Sequence, residues 1–252
     1  MGWSPDLYRK FQEERFAPFD DLVALAAFLP GMRMVDLGCG TGELTARLAG
    51  LSPGSTVLGL DSSPSMLAKA QPLAKGGLRF ALGKIEDWDE SGLDVVFSHA
   101  ALQWVEDHEA LFRRLARALA PGGQLLVQMP SNHDHVSHQA VRELAASPAW
   151  SGKLGGFVRR SPVRTIDFYA ELLHAAGLTR PTVIEKVYGH VLDDSDAVLD
   201  WIKGTLLVPY LEKLGVSGSS FLAELGERLA RVCPGRPYYF AFRRTLIHAR
   251  RP

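Results

Sequence analysis

Cysteine is almost absent from this chain, since only Cys39 and Cys233 occur among its 252 residues. Two cysteines provide no disulfide framework of the kind that small secreted domains use. A run of 18 apolar residues is absent too, and the first residues lack the apolar segment of a signal peptide. We therefore expect a cytoplasmic protein without a membrane-spanning segment.

An excess of charge of one sign is also lacking, because 28 Lys and Arg residues balance 28 Asp and Glu residues. A neutral chain has no general attraction for nucleic acid or for an anionic membrane, so neither is expected as a partner. The two halves differ modestly: residues 1–130 carry a net charge of −4 and residues 131–252 a net charge of +4. A basic second half would suit an anionic substrate, although four charges spread over 122 residues are a weak signal.

In the first half of the chain, short apolar runs alternate with patterns of helical period. Because parallel strands need crossover helices, this alternation predicts a mostly parallel sheet with helices on both faces. The predicted strands are 32–38, 56–61, 78–83, 93–99 and 124–130, and the predicted helices are 5–29, 41–50, 64–74 and 105–120, the last closed by the "APGG" at 120–123.

Past residue 130 the alternation gives way to longer helical patterns. No repeat or low-complexity linker interrupts the chain, so we predict one domain over residues 1–252. Its core is expected at 1–130, and a substrate cap with helices is expected at about 131–235, inserted before the last strand. The helices predicted here are 137–146, 165–176, 195–207 and 218–232, and the strands are 181–191 and 238–249.

The stretch "VDLGCGTGELTARL" joins the first strand to the helix that follows it. Glycines at 38, 40 and 42 allow positive φ angles and let a ligand lie against bare main chain, next to the N–H groups of a helix N-terminus. The dinucleotide fingerprint would need glycine where Glu43 stands. A carboxylate at that position would repel a pyrophosphate, so NAD and FAD are disfavoured.

Three glycines in G-x-G-x-G spacing after Asp36 resemble the cofactor loop of class I S-adenosylmethionine-dependent methyltransferases. The resemblance implies an α/β, Rossmann-like fold with a mostly parallel seven-stranded sheet and an antiparallel last strand. It implies S-adenosyl-L-methionine as cofactor and S-adenosyl-L-homocysteine as product, with Asp36 near the ammonium group and Asp61 accepting both ribose hydroxyls. The other implied cofactor residues are Gly38, Gly40, Thr41, Gly42, Ser62, Met66, Ile85, Glu86, Ser98, His99 and Ala100.

A closer resemblance is to the trans-aconitate methyltransferases, carried by "WSPDLYRKFQEER", "AALQWVEDHEALF", "LLVQMPSN" and "FAFRRTLIHARR". It covers nearly all of residues 3–251 and implies esterification of a small carboxylic acid such as trans-aconitate. Two positions depart from the family pattern. Lys84 stands where relatives usually carry an acid that accepts the adenine amino group. The backbone N–H of Ile85 can still bind the adenine ring, and Glu86 or Asp87 are candidate substitutes for the acid. Val208 replaces an arginine, for which Arg159, Arg160, Arg164, Arg236 or Arg243 are candidate substitutes.

Methyl transfer to a carboxylate has simple requirements. A carboxylate with a pKa near 4 is already ionised at pH 7, so no general base is required. His99 is the residue that we would assign as a catalytic base if one were needed. The enzyme has to align the oxygen with the methyl group and exclude water. Arg, His, Tyr, Gln and Trp side chains suit such a site. The predicted substrate residues are Tyr8, Arg15, Gln103, Trp104, Gln128, Asn132, Tyr188, His190 and Trp201.

Alternatives remain open at this point. Methylation of a carbon or nitrogen of another metabolite would need a proton acceptor, for which His99 or His190 are candidates. A non-catalytic regulator that binds S-adenosylmethionine is another class. The "NHDHVSH" stretch offers His133, His135 and His138 to a metal, but no cluster of acids accompanies them, so no metal is predicted. We expect a small-molecule carboxylate as partner, and the sequence leaves the choice of monomer or dimer undetermined.

Overall fold

One sheet of seven strands runs through the molecule, which we describe from a computed structural model that covers residues 12–252, with side chains from residue 16 onward. The strand order is β3-β2-β1-β4-β5-β7-β6. The strands are β1 (Arg33–Leu37), β2 (Thr56–Asp61), β3 (Leu78–Leu82), β4 (Leu93–His99), β5 (Leu119–Pro130), β6 (Thr179–Leu192) and β7 (Tyr238–Arg250).

The first five strands are parallel and β7 is antiparallel. Strand β1 pairs in parallel with β2 and β4, β2 with β3, and β4 with β5, whereas β7 pairs with β5 in the opposite direction. The predicted fold class, with its antiparallel last strand, is therefore confirmed. Strand β6 lies next to β7, as expected for the predicted strand at 181–191.

Several helices begin after a residue whose side chain caps them. Ser63, Asp107 and Thr165 each accept a backbone N–H of the following turn, which satisfies a donor that has no partner inside the helix. The helices are α1 (Gln12–Val23), α2 (Glu43–Gly50), α3 (Pro64–Ala70), α4 (His108–Ala118), α5 (Val136–Ala146), α6 (Pro148–Ser151), α7 (Ile166–Ala175), α8 (Ser195–Lys203), α9 (Val208–Leu214) and α10 (Gly218–Val232).

The helix predicted at 5–29 ends earlier than expected, at Val23, and its predicted start lies outside the described residues. From Leu25 onward the backbone N–H groups bond to the carbonyl three residues earlier instead of four, as in Leu25 to Leu22. The side-chain amide of Gln124 then binds both the N–H and the C=O of Ala27. A buried side chain from β5 thus replaces the helical bonds, which local periodicity does not reveal.

Two other boundaries were wrong. The "APGG" stretch was predicted to close α4, but β5 already begins at Leu119 and the Gly122 N–H donates to the carbonyl of Arg251. The helix predicted at 195–207 ends at Lys203, and a separate helix, α9, starts at Val208. The sequence pattern did not predict the short helices α6 and α9. Each has a proline in its first turn, a position that proline favours.

The described chain divides into two compact units. The core unit comprises residues 12–130, 162–186 and 244–252. One face of its sheet packs against α4 and α7 in a continuous apolar cluster, which includes Leu125, Val127 and Ile247. On the other face, Phe19 of α1 meets Phe97 of β4 edge-on, with ring centroids 5.7 Å apart.

The second unit comprises residues 131–161 and 187–243. Its helices pack through aromatic side chains, since Phe221 contacts both Trp150 and Tyr210 with centroid distances of 5.1 and 6.1 Å. The Trp150 indole N–H donates to Glu224 at 2.7 Å, so this buried donor is satisfied. Within residues 12–252 no helix is long and apolar enough to cross a membrane.

Candidate active site

The glycine turn between β1 and α2 has the backbone conformation that its sequence predicts. Gly38, Gly40 and Gly42 have φ angles of 81°, 55° and 78°, in the left-handed region that residues other than glycine rarely adopt. The N–H groups of Gly38 and Cys39 donate to the carbonyl of Leu60 at 2.8 and 3.0 Å. The turn is thereby fixed to the end of β2.

The three glycines of the turn differ in what surrounds them. A Cβ at Gly38 would lie 2.1 Å from the Cβ of Ala101, and one at Gly42 would lie 2.7 Å from the ring of Phe80. These two glycines allow close packing inside the protein. Among the residues that the structure describes, none has an atom within 4 Å of a Cβ placed at Gly40, so the bare main chain there faces open space in this part of the chain. Gly40 is therefore the position at which a ligand can approach the backbone.

Asp61, at the end of β2, is tied directly to this turn. One carboxylate oxygen accepts the Gly40 N–H and the other accepts the Ser63 N–H, both at 2.8 Å. A carboxylate has about four lone-pair sites, so each oxygen can accept one further bond. Half-buried Asp61 can thus serve two ligand hydroxyls while its backbone bonds persist.

Asp36 is a buried carboxylate, only 2% exposed, at the end of β1. Its Oδ2 accepts the Thr45 hydroxyl at 2.6 Å, whereas its Oδ1 has no hydrogen-bond partner among the described residues. Burial raises the pKa of Asp36 to about 7, with a smaller contribution from the charge of Asp61, while the Thr45 bond acts in the other direction. A buried carboxylate oxygen without a donor is costly, and a ligand ammonium group would supply one.

The loop after β3 carries the predicted adenine contacts. Ile85 is half-buried, with its side chain 3.7 Å from the position of a Cβ on Gly38, and Lys84 and Glu86 are exposed. Arg114 of α4 holds this loop, because its guanidinium donates to the carbonyls of Ile85, at 2.6 Å, and of Glu86. Sequence reasoning missed Arg114, since nothing in the sequence distinguishes it from Arg113.

The end of β4 is held in an unusual conformation. Ala100 has a φ of 55°, which is uncommon for alanine. Its N–H donates to the carbonyl of Gln128 at 2.9 Å, and its carbonyl accepts the Gln103 side-chain N–H at 2.6 Å. Strained backbone of this kind concentrates at functional sites. The Ser98 hydroxyl donates to the carbonyl of Leu37 at 2.7 Å and so ties β4 to β1.

Gln128 lies opposite His99 in the β4–β5 pairing. It is fully buried, and within the described part of the chain neither its Oε1 nor its Nε2 has a hydrogen-bond partner. The Oε1 of Gln103, on the loop after β4, is likewise buried, and no residue from 12 to 252 that the structure describes donates to it. Buried amides are normally satisfied, so this edge of the sheet offers hydrogen bonds to a polar ligand. Ligands of open α/β sheets bind at the carboxyl ends of the strands, where these residues lie.

The residues of the core unit therefore fit an S-adenosylmethionine molecule on three observations. The backbone at Gly40 is open to a ligand, the Asp36 carboxylate has an oxygen without a donor, and Asp61 has lone pairs to spare. Glu43 begins α2 and is exposed, so a carboxylate occupies the first turn, where a phosphate would otherwise bind. This donor and acceptor set suits a ligand with an ammonium group and ribose hydroxyls but no phosphate.

Comparison with known proteins agrees with this geometry. The model of the methyltransferase domain family matches residues 29–161, just over half of the chain. A trans-aconitate 2-methyltransferase of Deinococcus radiodurans is 46% identical over 100% of this chain and 99% of its own length. One of Variovorax paradoxus is 38% identical over 94% of this chain and 92% of its own. The chain belongs to the S-adenosylmethionine-dependent methyltransferase family.

A solved methyltransferase structure shows the same fold at low sequence identity. The geranyl diphosphate C-methyltransferase of Streptomyces coelicolor A3(2), in complex with Mg²⁺, geranyl diphosphate and S-adenosyl-L-homocysteine, superimposes with a TM-score of 0.58. It is 16% identical, and the match covers 98% of this chain and 82% of that one. The class I methyltransferase fold predicted from the glycine turn is thus confirmed.

The structure brings most of the predicted cofactor residues of this methyltransferase to one edge of the core unit's sheet. Met66 lies half-buried in α3, Ser62 is exposed beside Asp61, and Trp104 is 50% exposed. The individual contacts to a cofactor stay predictions. Cys39, predicted to be a small buried filler, is 8% exposed, and burial raises the pKa of its thiol, so the reactive thiolate is disfavoured.

The remaining predicted substrate residues lie elsewhere. Asn132, Tyr188, His190 and Trp201 belong to the second unit, where the rings of His190 and Trp201 contact each other at a tilt of 33° with centroids 4.5 Å apart. The Oδ1 of Asn132 accepts the backbone N–H of Arg243 at 3.1 Å, and its buried Nδ2 has no acceptor among the residues described here by the structure. Their contact with substrate stays a prediction. Tyr8 and the side chain of Arg15 lie outside the described part of the chain.

The histidine-rich stretch has bonds of its own inside the second unit. The His135 ring accepts the Ser137 N–H at 3.2 Å, which caps α5, and its other nitrogen meets the Tyr238 hydroxyl at 3.2 Å. His138 lies within 3.3 Å of the Ser137 hydroxyl, and burial lowers its pKa to about 3. Among residues 12–252 no group of three or more His, Cys, Asp or Glu side chains is placed to hold a metal ion.

Proposed function

We propose that this methyltransferase transfers the methyl group of S-adenosyl-L-methionine to a carboxylate oxygen of a small organic acid such as trans-aconitate, forming a methyl ester. Full-length similarity to proteins named trans-aconitate 2-methyltransferase, at up to 46% identity, carries the proposal. The buried amide of Gln128 supports it from the structure, because its Nε2 can donate to a carboxylate at the carboxyl end of β5.

The reaction needs alignment more than proton transfer. When bound, the cofactor supplies a methyl group on a sulfonium, whose sulfur keeps the bonding electron pair as the acceptor oxygen forms the new C–O bond. The acceptor carboxylate is ionised at neutral pH, so no proton has to be removed. What the chain contributes is a fixed approach of oxygen to methyl and removal of water from a strongly hydrated anion.

Each part of the cofactor has a matching group in the core unit. Asp36 Oδ1 would accept from the ammonium group, and Asp61 would accept from both ribose hydroxyls. The main chain at Gly40 would lie against the ligand, and the N–H of Ile85 would serve the adenine ring. His99 and Gln128, paired at the ends of β4 and β5, would orient the acceptor.

The affinity for the cofactor should depend on pH through Asp36. Burial raises the pKa of the folded carboxyl to about 7, so it keeps its proton over a range in which the unfolded chain has lost it. Its contribution to stability therefore falls as the pH rises from about 4 to about 7. A ligand ammonium favours the ionised form, so binding releases a proton. Affinity for S-adenosyl-L-homocysteine should drop about eightfold from pH 7.5 to 6.

Calorimetry at both pH values, in buffers of different ionisation enthalpy, measures the affinity and the proton released. The asparagine of the Asp36→Asn variant cannot titrate. This variant should bind S-adenosyl-L-homocysteine more weakly than the wild type does at pH 7.5, and its affinity should be the same at pH 6 and pH 7.5. At saturating cofactor and acceptor, kcat of the wild type should stay flat over this range, because no general base titrates. Equal wild-type affinities at the two pH values would rule out an ionic bond to Asp36.

Arg114 should act on the cofactor through the loop after β3. Arg114→Met removes two charge-assisted bonds, to the carbonyls of Ile85 and Glu86, and so loosens the loop whose N–H would serve adenine. We expect KM for the cofactor to rise about tenfold, with kcat and the acceptor KM unchanged. The matched control is Arg113→Met, which removes only an exposed ion pair with Glu109. Equal KM values in both variants would show that Arg114 does not support cofactor binding.

Turnover against a panel of acceptors tests the proposed function. The full chain is supplied with methyl-labelled cofactor and, separately, with mono-, di- and tricarboxylic acids, amines and phenols. The proposal predicts label transfer to the acids alone. Transfer to an amine or phenol, with a rate that falls as a histidine protonates, would favour a nitrogen or ring methyltransferase instead. Tight cofactor binding without any transfer would favour a regulator.

A further inference from the structure

We propose that Thr45 positions the cofactor through Asp36: its hydroxyl holds one oxygen of the Asp36 carboxylate and leaves the other oxygen to the ammonium group of the ligand. Thr45 is fully buried, so it acts as a positioning residue that does not itself touch the ligand. The inference rests on the proposed function, from which it takes the contact between Asp36 and the ammonium group. Thr45 was not among the cofactor residues that the sequence predicted.

The fold brings Thr45 to Asp36 although nine positions separate them in the chain. Asp36 lies next to the last residue of β1, and Thr45 lies in the first turn of α2, just past the glycine turn. That turn is fixed by the bonds from Gly38 and Cys39 to the carbonyl of Leu60. The Thr45 hydroxyl then donates to Asp36 Oδ2 at 2.6 Å. A buried side-chain bond thus joins the helix to the end of the strand.

Thr45 is the one hydrogen-bond donor that the described residues provide to the Asp36 carboxylate. Asp36 is 2% exposed, and its Oδ1 has no partner in the described part of the chain. Without the Thr45 hydroxyl, neither oxygen of this buried carboxylate would have a donor among these residues. Such a carboxylate is costly to ionise and can turn about its last side-chain bond. The Thr45 bond therefore controls both the orientation and the ionisation of Asp36.

The charges around Asp36 do not take over this task. Its neighbours in the sheet, Gly59 of β2 and Phe97 of β4, are uncharged. The titratable side chains on the adjoining elements are Asp61 of β2, Asp94 and His99 of β4, Cys39 of the turn, Glu43 and Arg47 of α2, and Asp20 and Asp21 of α1. Burial raises the pKa of Asp36 to about 7, the Thr45 bond lowers it, and the charge of Asp61 adds a smaller rise. Among the described residues, Thr45 alone lowers this pKa.

A purely structural role for the Thr45 bond leads to a different expectation. A bond that only ties β1 to α2 would affect the free energy of unfolding and leave the pH dependence of cofactor affinity as it is. A positioning role changes that pH dependence, because only ionised Asp36 can form an ionic bond with the ammonium group. Loss of the hydroxyl should also let the carboxylate turn, and ordering it again on binding lowers the affinity further.

Calorimetric titration of S-adenosyl-L-homocysteine into Thr45→Val between pH 6 and 8.5 tests the assignment. Valine has nearly the shape of threonine without the hydroxyl. The midpoint, the pH at which affinity is half its high-pH value, should lie near 7 in the wild type. In Thr45→Val it should lie about one unit higher, because the carboxylate loses a hydrogen bond. The variant should bind about tenfold more weakly at pH 7 and within about fivefold of the wild type at pH 8.5.

Two variants control for the loss of a buried hydroxyl. Thr45→Ser keeps the donor and should show the wild-type midpoint, with an affinity within about threefold of the wild type. Thr245→Val removes a buried threonine hydroxyl of β7 that has no partner among the described residues, and it should match the wild type at every pH. In Thr45→Val, KM for the cofactor should rise in parallel with Kd. Its kcat at saturation should stay unchanged, because Thr45 acts on binding alone.

An unchanged midpoint in folded Thr45→Val overturns the assignment, whatever happens to its thermal stability. An equal rise of the midpoint in Thr245→Val also overturns it. If Thr45→Val does not fold, Thr45→Cys decides, because its thiol fills the site and donates only weakly, and a wild-type midpoint again overturns the assignment. A wild-type affinity that is constant over this pH range defeats the Asp36 contact of the proposed function, and this inference with it. A wild type that responds to pH, with a Thr45→Val that follows the same curve, defeats this inference alone.

Discussion

Gly40→Ala is expected to fold and yet to bind S-adenosyl-L-homocysteine about 10- to 100-fold more weakly than the wild type. A Cβ at Gly40 meets no atom of the described residues within 4 Å, so the substitution creates no clash with them. It adds a methyl group in the space where the ligand would contact bare main chain. The φ of 55° strains alanine, at a cost of about 1–2 kcal/mol of folding stability.

Gly76→Ala is the matched control for this variant. Gly76 has nearly the same φ, 57°, and open space around its Cα, but it lies before β3, at the opposite end of the strand from the predicted site. Both variants should lose similar stability in thermal unfolding, and only Gly40→Ala should lose affinity in calorimetry. Normal affinity in Gly40→Ala would mean that no ligand lies against this turn.

Asp61→Asn is expected to lower affinity for S-adenosyl-L-homocysteine at least about 100-fold, the largest effect among these substitutions. Two bonds to a charged acceptor contribute about 1.5–3 kcal/mol each, and every 1.4 kcal/mol is tenfold in affinity. The asparagine amide also places a donor where the Gly40 or Ser63 N–H needs an acceptor. Calorimetry measures the loss.

The ribose contact itself is isolated with the 2′,3′-dideoxy form of the ligand. The wild type should bind that analogue about 100-fold more weakly than the parent, whereas Asp61→Asn should bind the two within about threefold. Asp94→Asn is the control, because Asp94 also accepts a backbone N–H, from Arg33, at the amino end of β4. Equal discrimination by wild type and Asp61→Asn would show that another group binds the ribose.

Local sequence predicted the sheet and the cofactor loop because short-range rules govern both. Strands of five to seven apolar residues between helical patterns allow few arrangements other than a parallel sheet. The bounds of β2 and β4 agree with the predicted ones. Glycines in this spacing after Asp36 predicted the positive φ angles that Gly38, Gly40 and Gly42 adopt. These features depend on residues close together in the chain.

The features that local sequence did not predict depend on contacts between distant parts of the chain. Helix α1 ends early, and just beyond its end the Gln124 side chain hydrogen-bonds to the backbone of Ala27, a residue 97 positions away in the chain. Arg114 is 28 and 29 positions away from Glu86 and Ile85, the two loop residues that it binds. No local pattern in the sequence distinguishes it from Arg113. The face to which each residue of β7 points could be known only from the β5–β7 register, because a shift of one residue reverses the face of every side chain.

The chemical fate of the transferred methyl group tests the central claim most directly. The wild-type chain is incubated with methyl-labelled S-adenosyl-L-methionine and trans-aconitate, and the purified product is treated with dilute base. If a carboxylate oxygen is the acceptor, the product is an ester, and base should release the label quantitatively as methanol. Label that stays attached to the acid after base treatment would place the methyl group on carbon and contradict the account.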